Sequence, residues 1–438
     1  MNQPIPRHLT QFLKNPALLF AACLYAFFVV NGAGLMLIQQ NMNFLMQRWE
    51  VESDVISSVI FGNFIGRLLS YYVAGYLSDK FGRRKLLIGA TFFYSVFILG
   101  ILLSPNAEIA FFFAIIGGIG NACFDTAVYP LLTELYPKSS ASAVVFCKAA
   151  VSIGQMLFPL LVGFLISYKL WFGYSFIFLV VLLILICIVF FSLKPLGASH
   201  KSDAVQQSLQ KTENLAFKQK PKVVLDGVLL ILYGCASFAT FFGFMSWATQ
   251  YAMKVAMMSE PSAQTVASYY GLGSFICVLI STYLFNQYLR PVLVMVFFPV
   301  ISALSLFLLY FYPEHWVCNV VAFIVGFTAA GGLLQLGLSV LLQFFPAGKA
   351  KIVSFYMLFS SLASYGYNRL LGKVAVVGLN PETKVDTFSG FTYVMLCNAG
   401  VSVLTAVLGV VIFVRFYQIF SIKGHELRWG ERCWLAKA

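Results

Sequence analysis

The chain has 438 residues, of which 60% are hydrophobic, 17% aromatic and only 10% charged, with a net charge of +13 and a mean hydropathy of +0.85. A soluble domain is nearer 45–50% apolar and about 25% charged, so a water-soluble core cannot absorb this excess. Soluble nucleotide-binding folds, nucleases and water-soluble binding modules are excluded, and the composition predicts an all-α membrane protein.

A helix needs about 20 apolar residues to span a bilayer. Twelve such segments follow in order: 17–46, 54–78, 86–104, 109–133, 141–166, 170–193, 223–250, 263–285, 291–312, 315–341, 350–375 and 389–419. The first is too long for the apolar core of a cleavable signal and is expected to stay in the membrane. It carries Asn31, Gln39, Gln40 and Asn41. The second carries Arg67 and runs into GYLSDKFGRR (75–84), where Asp79, Lys80, Arg83 and Arg84 crowd together and Lys85 follows. Gly75 is expected to let this helix approach a neighbour, and Gly82 suits a tight turn. The fourth segment holds Asn121, Asp125 and Tyr129 and ends near Glu134; the fifth holds Lys148 and Gln155. Residues 194–222 are polar and lysine-rich and form a linker between a six-helix half at 1–193 and another at 223–438. Gln335 lies in the tenth segment, Asn368 and Arg369 in the eleventh.

With the N-terminus in the cytoplasm, 21 lysines and arginines fall inside and five outside. That bias sets the topology, with both termini cytoplasmic, and accounts for the positive charge without nucleic acid. Trp49, Trp171 and Trp316 fall at outer helix ends, where interfacial anchors are expected. The nine cysteines form no C-x-x-C pair and the four histidines lie in tails or loops, so no metal site and no cofactor is expected.

The halves echo each other. GNFIGRLLSYY (62–72) matches GSFICVLISTY (273–283), and Gly117 with ELYPK (134–138) matches Gly326 with QFFPA (343–347). A repeat of six helices is a transporter signature, two bundles rocking around a site between them.

GYLSDKFGRR resembles the G-x-x-x-D-x-x-G-R-R signature of the major facilitator superfamily, with Gly75, Asp79, Gly82, Arg83 and Arg84 all matching. QNM (40–42), DTAVYP (125–130), SIGQMLFP (152–159) and AAGGLLQLG (329–337) are similar to the YdiM/YdiN group of bacterial inner-membrane transport proteins. The resemblance implies twelve helices in two six-helix bundles related by pseudo-twofold symmetry, a location in the bacterial inner membrane, and a monomer. It also implies that Asp79 caps the N-terminus of the eleventh helix while Arg83 or Arg84 reaches Glu134. That would be a latch formed only when the cytoplasmic side is closed.

Ionisable residues at membrane depth are costly and mark pathways. Arg67, Asp125, Lys148 and Arg369 are the four, and their sum is +2, which calls for an anion. Arg67, Asn31, Gln39, Tyr129, Gln335 and Arg369 are the candidate solute-binding residues. Asp125 with Lys148 is the candidate coupling pair, and the signature residues with Glu134 the candidate gate. Each has a plainer reading: Asp125 and Lys148 as a structural ion pair, Arg369 snorkelling, Arg67 bonded to Asp125, the amides joining helices. The expected function is secondary active transport of a small organic anion, by alternating access and proton symport. Its partners would be the solute, protons and the lipid bilayer, with no nucleic acid. There is no Walker sequence to bind ATP. A drug or metabolite exporter is the alternative, although SIGQMLFPLLVG lacks the G-P-x-x-G-G of proton-coupled drug exporters. A membrane-embedded enzyme would need a nucleophile with a base, or metal ligands, at depth, and none is present.

Overall fold

The computed structural model describes residues 16–136, 140–192, 219, 221–287, 291–345, 349–376 and 390–420, and the described residues are almost wholly helical. The helices are α1 (Pro16–Gln40), α2 (Met42–Trp49), α3 (Ser53–Phe81), α4 (Arg83–Leu103), α5 (Ala107–Leu135), α6 (Ser140–Ser167), α7 (Gly173–Ser192), α8 (Val223–Lys254), α9 (Glu260–Gln287), α10 (Pro291–Phe311), α11 (His315–Val325), α12 (Leu333–Phe344), α13 (Lys349–Val376) and α14 (Gly390–Ile419). A helix satisfies its backbone hydrogen bonds within itself, and hydrocarbon permits little else.

The twelve expected segments all fall on helices. The first is broken at Asn41 into α1 and α2, and the tenth into α11 and α12 with a π-helical turn, Gly326–Ala330, between them. Among the described residues, ten helical stretches are long and apolar enough to cross a membrane. α3 and α13, with 29 and 28 residues, have the length but a heavier polar load, including Arg67 in one and Arg369 in the other.

Local sequence explains several ends. Gly82 has φ of +84°, a turn conformation that glycine enters readily, and it separates α3 from α4. Asn106 caps α5, its side-chain oxygen accepting from Ile109 N–H at 3.0 Å. Pro159 and Pro299 lie inside α6 and α10, and Ser402 Oγ donates to the Pro299 carbonyl at 3.0 Å. Trp171 and Trp316 are exposed as expected of anchors, but Trp49 is buried. The break at Asn41 makes α2 a short separate helix with its own buried side, Met42, Leu45 and Trp49.

The described contacts divide the chain into two compact units. Of the described residues, one gathers those up to Leu37, those between Val59 and Gly154, and those from Trp171 to the end of α7. The other gathers Ile38–Ser58, Gln155–Leu170 and the second half of the chain. In the first, Phe27 stacks on Phe124 with ring centroids 3.6 Å apart. In the second, large buried tyrosines pair their hydroxyls with main-chain carbonyls, as buried hydroxyls must. Tyr233 donates to Met295, Tyr251 to Leu309 and Tyr356 to Leu334, at 2.9–3.1 Å.

The sequence echo reappears as packing within each unit. A Cβ on Gly62 would fall 2.8 Å from the Phe111 carbonyl oxygen, and one on Gly273 would fall 2.2 Å from that of Phe323. One turn further on, Gly66 lies against Gly118, and Cys277 against Gly331.

Candidate functional site

Gly66 and Gly118 bring α3 and α5 into backbone contact. A Cβ on Gly66 would lie 2.0 Å from the Ile115 carbonyl oxygen, and one on Gly118 would lie 2.1 Å from that of Asn63. Asn63, Arg67 and Tyr71 follow at four-residue spacing on α3; Asn121 and Asp125 do so on α5. Residues four apart share a helix face, so the close crossing sets two short polar stripes against each other. Asn121 Nδ2 donates to Asn63 Oδ1 at 3.4 Å, and Asn121 Oδ1 accepts from Asn31 Nδ2 of α1. Tyr71 Oη donates to Asp125 Oδ2 at 2.8 Å. The Arg67 guanidinium lies within electrostatic range of the same carboxylate. Arg67 and Asp125 are both half-buried.

Lys148 is half-buried on α6, next to Cys147, whose thiol is within electrostatic range of Asp125. The first unit therefore gathers Asn31, Arg67 and Asp125, with Lys148 on the adjoining helix. The side chain of Tyr129 lies outside the described residues. Tyr71 and Asn63 were not among the expected site residues. The available signal was their spacing of four on either side of Arg67.

The remaining candidates belong to the second unit. Gln39 is buried at the end of α1, while Gln335 on α12 and Arg369 on α13 are exposed. Beside Gln39 runs a hydrogen-bonded seam. Thr249 Oγ1 donates to Gln40 Oε1 at 3.0 Å, and Gln264 Nε2 to the Gln40 carbonyl at 3.2 Å. Gln250 Nε2 donates to Asn43 Oδ1 at 3.0 Å, and Asn43 Nδ2 to Glu260 Oε1 at 2.8 Å. The seam ties α1 and α2 to α8 and α9. Asn368 accepts a hydrogen bond from Trp247 Nε1 at 2.9 Å. A further pair missed from sequence is Asp226 with Arg415. Arg415 Nε and Nη2 donate to the two oxygens of Asp226 at 2.7 and 3.0 Å, and Asp226 Oδ2 also accepts from Lys222 N–H at 2.7 Å.

The sequence profile of the Major Facilitator Superfamily matches residues 18–365. The chain belongs to this superfamily. It is 36% identical to the inner membrane transport protein YdiN of Escherichia coli (strain K12) over 419 residues, 96% of this chain and 95% of that one. It is 33% identical to the inner membrane transport protein YdiM of the same organism, over 81% of this chain and 86% of that one. Among solved structures it resembles a D-xylose–proton symporter, with a TM-score of 0.68 and 16% identity, covering 89% of this chain and 96% of that one. The nucleoside transporter NupG gives a TM-score of 0.68 at 15% identity, covering 91% and 99%. At such identities the structures establish the fold.

The superfamily signature is partly visible. Gly82 forms the expected turn. Gly75 departs from expectation: a Cβ there would meet nothing within 4 Å among the described residues, and the close approach made by α3 occurs at Gly62 and Gly66 instead. Arg84 Nε donates to the Phe190 carbonyl at 2.8 Å, and Nη2 donates to that of Phe191. These are last-turn carbonyls of α7, which lack partners within their own helix, so Arg84 caps α7 in this conformation. Arg83 is half-buried. The side chains of Asp79 and Glu134 lie outside the described residues.

Proposed function

We propose that this superfamily member is a secondary active transporter that moves a small organic anion by alternating access, in symport with protons, across the bacterial inner membrane with both termini in the cytoplasm. The observation that carries this reading is the cluster of Arg67, Asp125 and Tyr71 on the crossing of α3 and α5. A guanidinium offers a planar fork that matches a carboxylate through two parallel bonds. Asp125 accepts from the Tyr71 hydroxyl and has the Arg67 guanidinium as a neighbouring countercharge. When a solute carboxylate takes the guanidinium, Asp125 loses part of its countercharge and gains a negative neighbour, so a proton binds there. Anion and proton then travel together. Lys148, on the adjoining helix, is the second cation that Asp125 can answer to when empty.

In this reading the bundles 1–193 and 223–438, joined by the linker 194–222, exchange access to the solute. Asn31, Gln39, Tyr129, Gln335 and Arg369 serve as further solute contacts. The signature residues Asp79, Gly82, Arg83 and Arg84, with Glu134, form the gate on the cytoplasmic side. The seam through Gln40 and Asn43 is its counterpart on the opposite side.

Uptake of radiolabelled carboxylates into proteoliposomes, with and without an inward proton gradient, tests the scheme. The gradient is expected to drive accumulation. Arg67→Lys, which keeps the charge but loses the fork, is expected to weaken carboxylate affinity about tenfold, the scale of one lost charge-assisted bond. Affinity unchanged within about twofold, or a cationic substrate, would refute the role of Arg67. Accumulation indifferent to the gradient would refute proton coupling.

A further inference from the structure

The cluster around Arg67 addresses charge alone. A second set of groups, confined to the second unit, addresses something else. Gln40, Gln155 and Gln264 are 4%, 3% and 1% exposed. Each amide makes one hydrogen bond: Gln40 Oε1 accepts from Thr249, Gln155 Nε2 donates to Met245 Sδ at 3.5 Å, and Gln264 Nε2 donates to the Gln40 carbonyl. Each leaves its other amide atom with no partner among the described residues: Gln40 Nε2, Gln155 Oε1 and Gln264 Oε1. Turning Gln155 would face its oxygen to a thioether sulfur that has no proton to give, and turning Gln264 would set its oxygen against a carbonyl oxygen, so both stay as they are; turning Gln40 would leave its oxygen rather than its nitrogen without a partner.

The three are neighbours. Met245 and Thr249 are four residues apart on α8, about 6 Å along the axis, so Gln155 and Gln40 meet the same face of that helix about a turn apart. Gln264 touches Gln40 directly. The packing that holds them is tight. A Cβ on Gly271 would fall 2.7 Å from the Gln155 carbonyl carbon, and one on Gly163 would fall 3.3 Å from Gln264 Cβ. Buried polar groups are normally hydrogen-bonded. Three adjoining amides, each half-satisfied, therefore describe the complement of an absent group.

We infer that Gln40, Gln155 and Gln264 form a subsite for a neutral hydroxyl-bearing part of the transported solute. Two amide oxygens fixed by their partners, with the Gln40 N–H as donor beside them, suit hydroxyls, which both give and accept. A carboxylate only accepts, and would face two amide oxygens. An ammonium only donates, and would face an amide N–H. An apolar group would leave all three atoms unsatisfied. The solute is thus a polyhydroxylated compound rather than a plain fatty or aromatic acid. This rests on the reading of the chain as a solute carrier. A bound water has the same hydrogen-bonding chemistry, and the test separates the two.

The experiment uses the purified full-length protein in lipid nanodiscs and three six-carbon probes: sorbitol, gluconate and hexanoate. Binding is read as a rise in melting temperature with ligand concentration. Sorbitol and gluconate are expected to stabilise the wild type. The double variant Gln155→Leu with Gln264→Leu is expected to melt at or above the wild-type temperature when empty, because two orphaned acceptors are gone. It should bind sorbitol at least about tenfold more weakly, ~1.4 kcal/mol. If the double variant does not purify, Gln155→Met, close to glutamine in shape, is expected to weaken sorbitol several-fold. No stabilisation of the wild type by sorbitol or gluconate overturns the subsite. So does a variant that melts lower yet keeps its sorbitol affinity, the mark of amides that hold structural water. Sorbitol has no carboxylate, so its binding is independent of Arg67. Loss of gluconate and hexanoate binding with sorbitol retained would strike the anion reading and leave this one standing.

Discussion

Tyr71 is the group in direct hydrogen bond to the carboxylate proposed to carry the proton. Its hydroxyl is the only part of the side chain that Tyr71→Phe removes, and its ring is partly exposed, so folding is expected to survive. A hydrogen bond to a charged group contributes about 1.5–3 kcal/mol. Gradient-driven uptake by Tyr71→Phe is therefore expected to fall about tenfold at unchanged abundance, measured in the same proteoliposomes. Uptake equal to wild type would make Tyr71 a packing residue. Arg67 and Asp125 were legible in the sequence because ionisable groups stand out in apolar runs. Tyr71 was not, because a tyrosine inside LLSYYVAGY reads as one more aromatic, and only its spacing from Arg67 marks it. Gly75 shows the converse. A glycine signals that close approach is permitted, without saying where a neighbour comes, and on α3 the neighbour comes at Gly62 and Gly66.

Helix breaks were the least legible feature. Hydropathy read 17–46 and 315–341 as continuous because averaging over some 20 residues passes across a single broken turn. The structure interrupts them at Asn41 and at Gly326–Gly332. Gly332 has φ of +148°, a region that L-residues avoid at a cost of about 1–3 kcal/mol. Gly332→Ala is expected to lower the melting temperature and the abundance of the protein. Gly400→Ala is the contrast. It lies inside α14 with nothing within 4 Å of the added Cβ among the described residues, and alanine favours a helix by about 1 kcal/mol. It is expected to be neutral or stabilising, and equal effects of the two would mean that backbone conformation at Gly332 does not matter. Helix ends carry a second expectation. From sequence, Arg415 counted only as one inside charge. In the structure it ties α14 to the start of α8 through Asp226, whose side chain is fully buried. Removing one partner of such a pair leaves the other charge uncompensated, at about 3 kcal/mol. Asp226→Ala should therefore melt well below wild type, with partial recovery in Asp226→Ala with Arg415→Leu. A lone Asp226→Ala that melts like wild type would show the pair to be idle.

The span count, the six-helix repeat and the superfamily were readable because the bilayer leaves so few solutions: about 20 apolar residues per crossing and no free backbone polar groups. Which faces meet in a given conformation was not readable, because in the proposed alternating-access cycle the same side chains would serve more than one packing of the halves. The signature stretch is the test of that idea. Arg84 here caps α7 within its own unit, which leaves Asp79 and Arg83 for the latch proposed on the expected cytoplasmic side, with Asp79 as its acid. A carboxylate at a helix N-terminus contributes about 0.3–1 kcal/mol when exposed and up to ~2 when partly buried. Two conformations of a carrier differ by only a few kcal/mol, so that loss is enough to bias their populations. Asp79→Asn is expected to leave insertion and abundance near normal, to cut uptake at least about tenfold, and to favour the state open on that side. Tyr72, 89% exposed on the same half of α3, supplies the reporter. In a background with the native cysteines replaced by serine, Tyr72→Cys should be alkylated by a water-soluble maleimide several-fold faster when Asp79→Asn is added. Unchanged labelling together with unchanged uptake would reduce the charged stretch to a topology signal. Unchanged labelling with lost uptake would move Asp79 from the gate to some other step of the cycle.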